Sequence, residues 1–156
     1  MNTLRIETFR PELAEAFGRL NRAWIERLFA IEPADEEVLR DPVGQVIAPG
    51  GQIFFARLDG EIVGTAAAVV HTAGTLELAK MAVDPACQGR GIGFQLGQAV
   101  IDYARATGAR ELMLLTNSRL AGAIRLYERL GFLQRPLPPG TGYARADVYM
   151  TMLLQG

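Results

Sequence analysis

The chain contains one cysteine, Cys87, and one histidine, His71, in 156 residues. A single thiol excludes an internal disulfide framework. One Cys and one His also cannot complete a zinc site, so no metal is expected. No apolar run approaches the ~20 residues of a membrane span. The N-terminal "MNTLRIETFRPELAE" carries charge too early for a secretory signal. A cytoplasmic protein with no membrane role is therefore expected. Net charge is only −1, so the basic surplus of a general nucleic-acid binder is missing. The imbalance that exists is local. Residues 1–60 hold 7 basic and 10 acidic side chains, and residues 61–156 hold 9 basic and 7 acidic.

Apolar residues make up 49% of the chain and charged residues 21%, the composition of a globular protein. The length suits one domain over 1–156. "LRIETF" alternates as a strand does. Pro11 then opens a helical stretch, with Leu13, Ala16, Phe17, Leu20, Trp24, Leu28 and Ile31 on one face. A second helix is predicted from Ala34 to Arg40, stopped before Pro42. "QIFFARL", "EIVGTAAAVVH" and "TLELAKMAV" read as an antiparallel meander, its first turn made by Asp59-Gly60. A helix follows, with Leu96, Val100, Ile101 and Ala104 on one face and Gly108 at its C-terminal end. "ELMLLT" is a strand apolar enough to be buried on both faces. A helix over about 119–130 stops at Gly131, "PLPPGTGY" is a loop, and "ADVYMTMLL" is the last strand. The order predicts a mixed α/β fold: a mostly antiparallel sheet with one parallel strand pair, joined by a right-handed crossover and flanked by helices.

Between the meander and the next helix lies "VDPACQGRGIGFQLG", with Gly89, Gly91 and Gly93 at alternate positions. Glycine costs roughly 0.5–1 kcal/mol against alanine inside a helix or strand. Three of them mark a loop that something approaches closely, more than a turn alone needs. A strand, a glycine loop and a helix N-terminus together form an anion site, with unpaired amides converging and the helix dipole adding positive potential. Arg90 can add a charge-assisted contact. No lysine follows the glycines, which excludes a P-loop. G-x-G-x-x-G also fails, since Phe94 or Leu96 stands where its third glycine belongs.

"Q88-G-R-G91-I-G93" after "MAVDP" resembles the Q/R-x-x-G-x-G/A loop of the GNAT superfamily of N-acetyltransferases. The resemblance extends over the chain, through the N-terminal helices, the meander, "AIRLYERLGF" and the last strand. "ELAKMAV" and "YARADVYM" further resemble the GNAT domain that some bacteria fuse to a MarR-type winged-helix regulator. These residues include no such regulator, so no nucleic-acid partner is expected. The resemblance implies that acetyl-CoA is the acetyl donor. It places the pyrophosphate on the amides of Gln88, Gly89, Arg90, Gly91, Ile92 and Gly93. It places the pantetheine arm along Met81, Ala82 and Val83, with Ala123 nearby. Many members carry asparagine three residues before that alanine. Leu120 stands there instead, and Asn117 is the candidate to contact the cofactor arm in its place.

Acetyl transfer needs an amine that loses its proton, a polarised carbonyl, a protonated leaving thiolate and two substrates held together. Glu77 is the candidate base. A lone carboxylate in a central strand is costly unless it has a task or a partner, and burial raises its pKa. An ion pair or a rim position would explain it equally. Lys80, three positions along, is expected on the opposite face of a regular strand. Tyr127, in "A123-I-R-L-Y127", matches the tyrosine that the family uses as acid; a core aromatic is the alternative. A backbone N–H near Ala82 or Val83 is the candidate to polarise the carbonyl. Cys87 is read as an incidental thiol, because a Cys–His pair needs the two side chains in hydrogen-bond reach.

The acceptor pocket should be lined by the first helices and the final strand. Asn21, Trp24, Phe29, Tyr143, Arg145 and Asp147 are candidates on that ground. Asp147 suits a cationic amine and Arg145 a carboxylate, unless the two pair with each other. The expected activity is transfer of acetyl from acetyl-CoA to a primary amine of a small molecule or protein by direct attack. The alternative is a non-catalytic acyl-CoA-binding module. The sequence leaves a homodimer open.

Overall fold

The computed structural model describes residues 3–140 and 144–154. Seven strands form one sheet in the order β1-β2-β3-β4-β5-β7-β6. They are β1 (Leu4–Thr8), β2 (Gln52–Leu58), β3 (Glu61–Thr72), β4 (Thr75–Val83), β5 (Glu111–Thr116), β6 (Leu133–Arg135) and β7 (Val148–Leu153). Only β4 and β5 run parallel; every other neighbouring pair is antiparallel. This is the expected mixed α/β architecture.

Four helices cover the sheet: α1 (Ala14–Leu28), α2 (Pro33–Arg40), α3 (Ile92–Ala106) and α4 (Ala121–Leu130). Alternation along the strands divides the core between the two faces. On β2, Phe54 and Ala56 pack with Leu96, Val100 and Ile101 of α3. Ile53 and Phe55 point the other way, onto Phe17 of α1 and Leu39 of α2. Phe17 and Phe55 are fully buried, each stabilising the fold by roughly 1.5–3 kcal/mol.

Pro11 sits in a short 3-10 turn, Pro11–Leu13, and α1 proper starts at Ala14. Helix α1 ends at Leu28, so Ile31 lies outside it. A five-residue π-helical turn, Val43–Ile47, follows α2 where no element was expected. Strand β6 was also not expected. It has only three residues, all exposed, and shows no apolar period.

The sheet opens where the site forms. Parallel pairing of β4 with β5 is confined to Thr75–Glu77 against Glu111–Met113. Beyond it β5 stays with β7, whereas Leu78–Val83 keep a sheet partner only in β3. The two strands therefore diverge and leave a wedge in the middle of the sheet. At the wedge β4 bulges. Thr65 pairs with Ala82 and Ala67 with Ala79, so Lys80 and Met81 stand opposite the single residue Ala66. Lys80 takes a left-handed conformation, φ +54°, as a bulge can require.

Candidate active site

Two depressions meet at the wedge. A cavity of about 130 Å³ is walled by α1, α2, the middle of β4, the end of β5 and the loop before β7. A longer groove of about 1060 Å³ runs from Met81–Val83, past Cys87–Gly93, to the start of α4. Trp24, Met81, Leu120 and Tyr127 line both, so the two spaces join at these residues.

Gln88, Gly89, Gly91, Ile92 and Gly93, read from the sequence as an anion site, line the groove. Asp84 accepts a bond from the Ala86 amide at 2.9 Å and fixes the turn after β4. Gly89 and Gly91 have φ of +82° and +78°, and a Cβ at either would meet nothing within 4 Å. Their missing side chains leave open space beside the amides. Helix α3 starts at Ile92, with Gly91 as its N-cap. The first amide to reach back to that cap is Gln95, at 3.1 Å from the Gly91 carbonyl. The amides of Ile92, Gly93 and Phe94 precede any helical acceptor, and the helix dipole is positive there. Gly93 has a second reason to be glycine. A Cβ there would lie 3.1 Å from Leu126 Cδ2, so this glycine lets α3 and α4 pack closely. Gln88, Ile92 and Ala123 line the groove. Arg90 is exposed and is not part of its wall.

Glu77 and Tyr127 both face the cavity. Burial pushes the Glu77 carboxyl above the usual glutamate value, outweighing the charges of His71 and Lys80. Among the described residues it has no hydrogen-bond or ion-pair partner. Burial pushes the Tyr127 hydroxyl up to about 12, so it stays protonated at neutral pH. Its ring packs edge-on to Phe132, with centroids 6.2 Å apart.

Lys80 does not lie on the opposite face from Glu77. The bulge turns it into the same cavity. Lys80 Nζ is 2.7 Å from Asp35 Oδ1, and Asp35 is fully buried. Arg145 grips the same carboxylate with two nitrogens, at 2.8 and 2.7 Å, and reaches Glu32 Oε2 at 3.2 Å. Glu32 and Asp35 form the capping box that starts α2. Burial alone would raise the Asp35 pKa, but hydrogen bonds from Arg145 and Lys80 prevail and hold it well below the usual range.

The remaining candidates separate. Asn21 is buried in the cavity wall and donates to the Phe17 carbonyl at 3.0 Å. Trp24 and Phe29 line the cavity with rings 6.1 Å apart. Asn117 also lines it, but its amide is already engaged. It donates to the Arg145 carbonyl at 2.6 Å and accepts from the Arg119 amide at 2.8 Å. That makes it a brace for the loop before β7. Arg145 and Asp147 do not pair. Asp147 is exposed, takes bonds from Ser118 and is absent from the cavity wall. Tyr143 lies outside the described residues. Cys87 packs against the core beside α3, near the Gly64–Val83 end of the β3–β4 ladder, whereas His71 lies near the opposite end. Seven residues of strand, about 20 Å, separate those ends, so no Cys–His pair forms. No group of three metal-ligating side chains occurs among the described residues, and no described helix is long and apolar enough to cross a membrane.

Asp35, Glu32 and Lys80 are the site residues that the sequence reading did not bring together. Their only sequence signal was the acidic pair at N-cap and N3 of α2; the bulge that delivers Lys80 left none.

A splayed β4–β5 wedge with a glycine-fronted helix beside it is the centre of this mixed α/β fold. Residues 10–132 match the acetyltransferase (GNAT) family model, and the chain belongs to that family. Acetyl-CoA is the family's acetyl donor. Human N-acetylaspartate synthetase is 35% identical over 113 residues, covering 71% of this chain and 35% of that protein. The chain thus spans about a third of the length of this relative. A GNAT-family acetyltransferase from Staphylococcus aureus Mu50 superposes with a TM-score of 0.89 at 20% identity, over 98% of this chain and 100% of the other. A phosphinothricin acetyltransferase from Sinorhizobium meliloti, solved in complex with acetyl-CoA, superposes with a TM-score of 0.80 at 17% identity, over 97% and 89%.

Proposed function

We propose that this protein is an N-acetyltransferase that moves the acetyl group of acetyl-CoA to the primary amine of a small molecule or protein by direct attack. One observation carries the reading: Glu77, a carboxyl with no hydrogen-bond or ion-pair partner among the described residues, and Tyr127, a half-buried phenol, line the same cavity where it joins the groove. A module that only binds acyl-CoA needs neither.

The groove suits the donor. Open space at Gly89 and Gly91 and the first amides of α3 fit a pyrophosphate. The β4 edge beyond Glu77, unpaired toward β5, fits the peptide-like pantetheine arm along Met81–Val83. When bound, acetyl-CoA supplies an activated acyl thioester. The chain's residues do the rest. The cavity holds the amine against the end of the groove, converting an encounter into a positioned reaction. Glu77 takes a proton from the bound ammonium, directly or through a water, which frees the nitrogen lone pair to attack, and the second N–H proton leaves to solvent as the C–N bond forms. A backbone N–H at Ala82 or Val83 stabilises the carbonyl oxygen. Tyr127 donates to the sulfur as the C–S bond breaks. Both residues regain their starting protonation by exchange with solvent.

The relatives' names support acetyl transfer, and N-acetylaspartate synthetase supports nitrogen as the acceptor atom. The test is thiol release from acetyl-CoA with a panel of primary amines. Amine-dependent release that Glu77→Gln suppresses supports the reading. Tight acetyl-CoA binding with the same slow hydrolysis whatever the amine would favour the binding module.

A further inference from the structure

The acceptor end of the cavity has a definite chemistry. Trp24, Ile25, Phe29, Val38, Val69 and Leu115 give it apolar walls. Trp24 and Phe29 are tilted at 38° to each other, and the Arg119 guanidinium lies 4.7 Å from the centre of the Phe29 ring, holding that ring in place. Two cations also reach the wall, Lys80 and Arg145. Their side chains are only 6% and 16% exposed, and both are spent on Asp35. Glu77 is the one charged group of the wall with no hydrogen-bond or ion-pair partner among the described residues.

We propose that the acceptor is a small primary amine with a flat, apolar, uncharged body, its ring seated against Trp24 and Phe29 and its nitrogen directed at Glu77. Asp35 is the residue that excludes carboxylated acceptors, because it engages both cations that would otherwise receive them and, with Glu32 on Arg145, balances their charge. The assignment rests on the acetyl-transfer reading of the same site. An acceptor carboxylate entering this cavity would lose its water and find no unpaired cation, the most costly form of burial. An ammonium finds the Glu77 carboxyl, and its apolar body gains by leaving water. This separates the chain from its relative whose name specifies aspartate as the acetylated amino acid.

The test uses the sole tryptophan, Trp24, whose emission reports on the cavity wall. The full chain, saturated with coenzyme A, is titrated with 2-phenylethylamine, phenylalanine and aspartate. The amine without a carboxylate is expected to bind at least ten-fold more tightly than either amino acid. Asp35→Asn is expected to shrink the gap to phenylalanine below three-fold. Because that variant removes a buried charge and can fail to fold, Phe29→Ala provides a second arm. It is expected to weaken 2-phenylethylamine at least ten-fold and change aspartate less than two-fold. Phenylalanine or aspartate binding as tightly as the amine overturns the proposal, as does an amine that never saturates. Thiol release with the same compounds separates the two levels. Turnover that prefers aspartate overturns the acceptor assignment and keeps acetyl transfer. Tight, Phe29-dependent binding of the amine with no thiol release keeps the amine as the ligand class of this cavity and overturns acetyl transfer, and with it the amine's role as acceptor.

Discussion

Glu77 and Lys80 stand three residues apart on one strand and yet face one cavity, because β4 bulges at Lys80–Met81 and Lys80 adopts φ +54°. On a regular strand they would face opposite sides. The bulge lets β4 turn a carboxyl into the cavity while anchoring a lysine on Asp35. Stability and chemistry at the site both follow from this arrangement.

Glu77→Gln should lower kcat by about 10²–10⁴-fold, the usual worth of a general base, and raise the thermal midpoint. The folded-state pKa of Glu77 is raised by burial. A raised acid contributes stability below its unfolded pKa and loses it as pH rises through the folded value. At neutral pH the ionised form therefore costs stability, and glutamine removes that cost. Paired kinetics and thermal melts check both directions; a variant that is inactive and less stable contradicts the account.

The pH profile should carry the same signature. The base form exists only above the raised pKa, so kcat/KM should fall as pH drops, with the acid limb above the ~4.3 of free glutamate. That limb should vanish in Glu77→Gln. A limb that persists there belongs to another group.

Tyr127→Phe should lower kcat about 10²-fold while changing coenzyme A affinity less than two-fold. The hydroxyl stays protonated, with its pKa near 12, and is the proposed donor to the leaving sulfur, whereas the ring alone fills its place beside Phe132. Calorimetry alongside turnover distinguishes this from a packing role. Loss of binding with kcat intact would show the phenol to be a ligand contact only.

Asp35→Ala should destabilise the fold by about 3–5 kcal/mol, because it leaves Lys80 and Arg145 buried without their carboxylate. Urea melts measure it. The Asp35 pKa is depressed in the folded state, so its contribution is present above the unfolded value and lost as pH falls through the lower, folded one. The stability gap between wild type and variant should therefore close in strong acid.

Gly91→Trp should abolish coenzyme A binding while leaving far-UV circular dichroism unchanged. The position has φ +78° and faces open space, so the indole enters the groove, at a backbone cost of roughly 1–2 kcal/mol. Retained affinity would move the phosphate site elsewhere.

Much of this was legible in the chain, for local reasons. Asp59-Gly60 and the alternation of "QIFFARL" fixed the first hairpin, and Gly89 and Gly91 announced a backbone that must stay bare. Gly93 has a second reason to be glycine that the chain does not show, since a Cβ there would lie 3.1 Å from Leu126 Cδ2. The bond from the Asn117 amide to the Arg145 carbonyl, 2.6 Å long, joins residues 28 positions apart and leaves no local pattern. The ion cluster joins residues 45 and 110 positions apart, so no local pattern could reveal it. Strand β6 is too short and exposed to leave a period.

The most direct measurement is a crystal structure of the protein with coenzyme A. The account predicts the pyrophosphate on the amides between Gln88 and Phe94, the pantetheine arm alongside Met81–Val83, and the sulfur beside Tyr127 with Glu77 across the cavity. A complex with the pyrophosphate away from the start of α3, or with the sulfur pointing away from Tyr127, would contradict it.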